Sequence, residues 1–210
     1  MHIPDGFLNT ITWVSTSIGG AAALGSALKY TQRTMTPKQM PQIALVGSFI
    51  FAAQMLNFPI AGATSGHFLG GALASILFGP MIASVVLSAV LIIQALVFQD
   101  GGITALGANL LMTAFVGSFA GYAVYSFMIR LLRGRGLFMV AFLAGWVSIV
   151  VASAGVGVLL AASGTFPFAV ALKAMIGWHS VIGIGEGLIT AMVAIYLFER
   201  RAFPQRGVPA

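Results

Sequence analysis

The sequence has no cysteine, and its 210 residues carry only four Asp and Glu against ten Lys and Arg. Without cysteine there is no disulfide and no thiolate ligand, so any bound metal must be held by nitrogen or oxygen donors. Charged residues make up 7% of the chain and hydrophobic residues 59%, with a mean hydropathy of +1.02; that balance excludes a soluble globular domain. No G-x-x-x-x-G-K-[ST] phosphate loop occurs, nor H-E-x-x-H, nor G-x-S-x-G, which removes ATP hydrolysis by the Walker route and two hydrolase chemistries. The net charge of +6 does not imply nucleic acid, because the basic residues are spread over short loops rather than gathered on one face.

What is present is a series of apolar blocks. Reading them between turn and charge signals predicts an all-α membrane protein with about seven transmembrane helices, at roughly 8–28, 42–56, 66–79, 81–98, 103–129, 137–162 and 178–198. The second and third spans are short, as expected of helices that begin inside a bundle and are shielded from lipid by neighbours. No internal repeat or low-complexity tract is found, so residues 1–210 read as a single transmembrane domain.

Basic residues set the expected orientation. Lys29, Arg33 and Lys38 follow span one, Arg130, Arg133 and Arg135 follow span five, and Arg200, Arg201 and Arg206 follow span seven. With seven spans these groups share the cytoplasmic side and only Lys173 lies opposite, which predicts the N-terminus outside and the C-terminus cytoplasmic, in a cell inner membrane. Trp13, Trp146 and Trp178 fall near span ends, as an aromatic belt requires. A signal peptide needs a basic region before its apolar core, yet the first basic residue is Lys29, so Met1 is the expected mature N-terminus. Small residues form two seams, Gly19, Ala23 and Ala27 in span one and Ala44, Ser48 and Ala52 in span two, which suit either internal packing or a membrane partner.

Ionisable groups away from the cytoplasmic loops are costly and therefore few: His2, Asp5, His67, Asp100, Lys173, His179 and Glu186. A chain beginning Met1-His2 offers the Met1 amine, the His2 amide nitrogen and the His2 imidazole within one short segment. Together they form fused chelate rings, and displacement of the amide proton favours Ni(II) and Cu(II). A fourth planar donor is missing. His67 is the candidate, because Thr64-Ser65 reads as a helix N-cap that places it in a first turn on the outer side. Against this stands a plainer reading, in which each histidine merely hydrogen-bonds a carbonyl. Pro4-Asp5-Gly6 is a turn able to fold the terminus back into the bundle. His179 and Glu186, seven positions apart, share a helix face; they read as an anchor between helices, with ligand and supporting roles left open. Gly183, Gly185 and Gly187 would admit a neighbouring helix, while Asp100-Gly101-Gly102 reads as a turn and Lys173 as a headgroup-level charge. Two further classes stay open: a proton-coupled secondary transporter with Glu186 as proton carrier, and an intramembrane metallohydrolase with Zn(II) on His67, His179 and Glu186.

Four segments together carry a resemblance: Met1-His2-Ile3-Pro4-Asp5-Gly6-Phe7, the stretch from Phe51 to Pro59 (FAAQMLNFP), Gly62-Ala63-Thr64-Ser65-Gly66-His67, and the stretch from His179 to Gly187 (HSVIGIGEG). On these the sequence resembles the NikM/CbiM family, the substrate-specific components of energy-coupling-factor transporters. The resemblance implies a seven-helix fold with an extra N-terminal helix, and nickel or cobalt as cargo bound from outside. It implies Met1, His2 and His67 as ligands in a planar set. It also implies transport powered by a transmembrane coupling protein and cytoplasmic ATPase subunits, with a small accessory membrane subunit as a further partner. Ni(II) is the expected substrate and Co(II) the alternative; no organic cofactor and no catalytic residue are expected. One departure is Ala61-Gly62-Ala63, where relatives often carry Pro-Gly-Gly.

Overall fold

The computed structural model of the protein describes residues 1–60, 64–200 and 203. Seven helices form one bundle: α1 (Thr10–Thr34), α2 (Met40–Gln54), α3 (Gly71–Phe78), α4 (Pro80–Val97), α5 (Leu106–Leu131), α6 (Leu137–Ala162) and α7 (Phe168–Glu199). Between α2 and α3 the chain makes a small antiparallel hairpin of β1 (Phe58–Ile60) and β2 (Thr64–Gly66), in which Phe58 pairs with Gly66.

The seven helices match the expected number, and five of them, α1, α4, α5, α6 and α7, are long and apolar enough to cross a membrane. The two exceptions are the segments whose apolar runs were short. At 1.5 Å per residue the eight residues of α3 cover only ~12 Å. Gly79, at φ +88°, and Pro80 separate α3 from α4, because proline cannot continue a helix it does not start. Helix α7 starts ten residues earlier than expected, since Lys173 sits within it rather than ahead of it. Arg201, Arg206 and the Ala61-Gly62-Ala63 run lie outside the described residues.

A π-helical stretch, Leu110–Gly117, interrupts α5 just after Asn109. Wider winding disturbs the ordinary carbonyl pairing, and neighbouring helices supply donors: the Ser84 hydroxyl donates to Ala114 O and the Ser148 hydroxyl to Gly117 O, each at 2.8 Å. Helices α6 and α7 form the most extensive pairing of the bundle, with the Trp146 indole donating to Ser180 O at 2.9 Å. Gly183 and Gly187 do admit α6, lying against Trp146 and Phe142, whereas Gly185 meets nothing.

The seam on α1 runs through Gly20 rather than Gly19. A side chain at Gly20 would stand 2.9 Å from Gly107 O, and one at Gly107 would stand 2.3 Å from Ser17 Cα, so α1 and α5 touch backbone to backbone. On α2, by contrast, Ala44, Ser48 and Ala52 are exposed, which removes internal packing as the reason for that seam. Gly107→Ala is expected to destabilise the bundle by about 1–3 kcal/mol through overpacking, read as a lowered unfolding temperature in detergent. Gly25→Ala, where an added methyl meets nothing within 4 Å, is expected to leave it unchanged or slightly raised.

Candidate metal site at the chain start

The first eight residues run into the bundle instead of trailing from it. Asn9 caps α1, its side chain accepting from Thr12 N at 2.8 Å. Ahead of that cap, Gly6 at φ +84° supplies the left-handed turn that reverses the chain. Three sets of contacts hold the reversed segment. The Asp5 carboxylate accepts from Ile103 N (3.1 Å), Thr104 N (2.7 Å) and the Thr104 hydroxyl (2.5 Å). The Asn109 carboxamide grips Ile3 on both sides, accepting from its N–H at 2.8 Å and donating to its carbonyl at 3.0 Å. Gly102 N donates to the same carbonyl at 2.9 Å, and the Thr165 hydroxyl donates to Phe7 O.

Apolar packing completes the seating. Met1 and Ile3 are each 2% exposed, and they pack in one cluster with Leu69, Ala108, Ile149, Val156 and Met175. Gly101 and Gly102 make this passage possible: a Cβ on Gly102 would lie 2.4 Å from Asp5 N, and one on Gly101 3.3 Å from His2 Cβ. The Asp100-Gly101-Gly102 sequence, expected to be only a turn, is therefore a wall of the site. Asp100 itself places Oδ1 3.2 Å from His2 Nδ1.

His67 arrives from the other side. It does not lie in a helical first turn as expected: Thr64–Gly66 is strand, and α3 begins only at Gly71. The hairpin and the left-handed Gly70, at φ +78°, lead the chain past the site before any helix starts. The loop is held instead by two distant side chains. Glu186 accepts from Leu69 N (2.6 Å) and Gly70 N (2.9 Å), and Gln54 donates to Leu69 O at 2.7 Å. Glu186, read from its spacing to His179 as part of an anchor between helices, instead ties α7 to the loop that carries His67. The His179 ring bonds the Met175 carbonyl one turn back, at 2.8 Å.

The result is a buried pair of imidazoles. The rings of His2 and His67 lie 4.4 Å apart between centroids, tilted by 44°. His67 Nδ1 is 2.7 Å from Phe68 O, which fixes the proton on that nitrogen and turns the Nε2 lone pair free. Nε2 of His67 and Nε2 of His2 are both buried without a hydrogen-bond partner, an expensive condition unless another group satisfies them. Burial lowers the Met1 amine from 8.0 to about 5 despite the opposing pull of Asp100, and it lowers the His2 imidazole as well. Neutral nitrogens with available lone pairs are what a metal ion requires. Among the described residues no three His, Asp or Glu side chains converge as a metal cluster.

A family description, the cobalt uptake substrate-specific transmembrane region CbiM, matches residues 2–203. The chain belongs to the CbiM family. A putative metal transport protein of Haloquadratum walsbyi is 41% identical over 96% of this chain and 91% of its own length. A putative fused nickel transport protein NikMN of Archaeoglobus fulgidus is 43% identical over 96% of this chain, which spans 66% of that longer protein. A crystal structure of a truncated transition metal transporter superposes with a TM-score of 0.90 at 34% identity, covering 95% of this chain and 99% of the other. This CbiM-family protein is accordingly a membrane component of nickel or cobalt transport and not an enzyme. The metallohydrolase reading falls with that, and Glu186, committed to two main-chain amides, is poorly placed to activate a water.

Three residues that hold the site escaped the sequence reading as contributors: Asn109, Gln54 and Asp100. Asn109→Leu is expected to weaken seating of the first residues by about 1–3 kcal/mol, the cost of stranding a buried main-chain donor. Removal of Met1 by an aminopeptidase should then speed up at least several-fold with little change in unfolding temperature; an unchanged rate would deny the clamp.

Proposed function

We propose that the protein captures Ni(II) in a planar set of four nitrogens: the Met1 amine, the His2 amide, the His2 imidazole and His67 Nε2. The observation that carries this is the burial of the Met1 amine beside two facing imidazoles, one of them with an unpartnered Nε2. Displacing an amide proton demands an ion that gains much from in-plane nitrogen donors, which favours Ni(II); Co(II) uptake by the same route is the alternative.

Capture takes place on the outer face. Contacts of Asp5 with Thr104, Asn9 with Ala162 and Phe7 with Thr165 gather the chain start and two loops at one end of the bundle, while Lys29, Arg33, Arg130 and Arg133 follow the opposite helix ends. Uphill uptake draws its energy from cytoplasmic ATPase subunits through a transmembrane coupling protein in the cell membrane, and the ion leaves inward when that partner opens the site.

Two measurements test the site. An extra glycine ahead of Met1 removes the amine from its position and blocks the fused rings. Calorimetric nickel affinity should drop by on the order of 100-fold or more, since the loss of outer supporting groups alone reaches 10–100-fold; undiminished affinity rules the site out. The second is proton release. With the amine at about 5, its nitrogen is already bare at pH 7.5, so binding should release about one proton, from the amide. Near two would mean an amine of ordinary basicity. The sign for the metal-free chain follows: the unseated amine takes up a proton first, so seating is fully favoured above 8.0 and weakens as pH falls toward about 5.

A further inference from the structure

His2 can close a chelate ring with its own amide only through Nδ1, because amide nitrogen, Cα, Cβ, Cγ and Nδ1 complete a six-membered ring with the ion, whereas Nε2 lies too far around the imidazole. In the structure that same atom faces Asp100, with Oδ1 at 3.2 Å. The Asp100 carboxylate thus stands against the very donor atom that the chelate ring requires.

Asp100 differs from the other acidic group at this end. Asp5 is saturated by three donors from Ile103 and Thr104. Among the described residues no main-chain N–H donates to the Asp100 carboxylate; its own N–H, bonded to Gln94 O at 3.0 Å, and the close packing of Gly101 on His2 and Asn109 fix the backbone behind it. Its side chain is 21% exposed where that of His2 is 2% exposed, so it spans the boundary between solvent and the buried nitrogens. A dication held by three neutral nitrogens and one amide anion leaves a net positive charge in a buried place, and such a charge needs an opposite one nearby.

Resting on the site proposed above, we infer that Asp100 is the capture ligand of the transporter: its carboxylate takes the hydrated dication at the mouth, passes it to His2 Nδ1 and the Met1 amine, and stays beside the filled site as counter-charge. Oxygen first and nitrogen second is a sensible order, because the carboxylate is already an anion when the dication arrives, while the amide must give up its proton to solvent before it binds.

The test is stopped-flow binding of Ni(II) alone to the full chain in detergent, comparing wild type with Asp100→Asn and Asp100→Glu. Asp100→Asn keeps shape and removes charge. Its association rate should fall on the order of tenfold and lose most of its dependence on ionic strength, and Asp100→Glu should recover a large part of both. An unchanged association rate in Asp100→Asn, with affinity lost only through faster dissociation, would assign Asp100 to holding His2 and overturn the proposal. Should the asparagine variant fail to fold, wild type alone decides: association independent of salt also overturns it. The glycine extension separates this from failure of the site itself, because a metal bound elsewhere keeps its affinity in the extended chain.

Discussion

Everything at the end of the bundle that receives residues 1–8 depends on two hydrogen bonds between the Asn109 carboxamide and Ile3. A chain terminus in water carries a charged amine and a mobile backbone, both of which resist burial. Asn109 presents the donor and acceptor that a neighbouring strand would offer, so the main chain at Ile3 enters an apolar interior with its polar groups satisfied. The residues on either side then follow: Met1 reaches the core cluster, His2 meets His67, and Asp5 ties off the turn. The π-wound stretch that begins one residue later, with its carbonyls served by Ser84 and Ser148, belongs to the same arrangement.

The second half of the site is held from the far side of the molecule. His67 stands on a loop that has no helical support of its own, and its position is set by Glu186 from α7 and Gln54 from α2. Gln54 lies in the last turn of a helix that is short and largely exposed on the face carrying Ala44, Ser48 and Ala52. One imidazole is therefore fixed by a segment clamped to α5, the other by a loop strung between two separate helices. A shift of α2 reaches His67 through Gln54, whereas a shift of α7 reaches both halves of the site, the His67 loop through Glu186 and Met1 through Met175.

Much of this was legible in the sequence, and the reasons for the rest are physical. Hydrophobic runs located seven helices, but run length alone did not show that α2 and α3 stop short of a full crossing; that required seeing where Gly79-Pro80 and the hairpin put the breaks. His67 stood out as an ionisable group in an apolar chain; the chelate chemistry of Met1-His2, a local pattern, called for one more donor, and the supposed cap at Thr64-Ser65 pointed to His67. Its backbone setting was misread, since Thr64-Ser65 carries the residue types of a helix cap and only the pairing with β1 makes it a strand. Asn109 left no local signal, because its role rests on a contact 106 positions away. Asp100-Gly101-Gly102 gave a true but incomplete signal: Gly101, at φ +100°, does turn the chain, and the missing side chains also leave room for His2 beside Gly101 and for Pro4 and Asp5 beside Gly102.

The seating of residues 1–8 sets an order on assembly. The groups that hold Ile3 and position the two imidazoles come from residues 100–109 and from Glu186. These contacts join positions 106 and 117 apart in the sequence, so residues 1–8 stay unseated until helices far along the polypeptide have packed. The facing imidazoles are consequently among the last tertiary contacts of the fold to close.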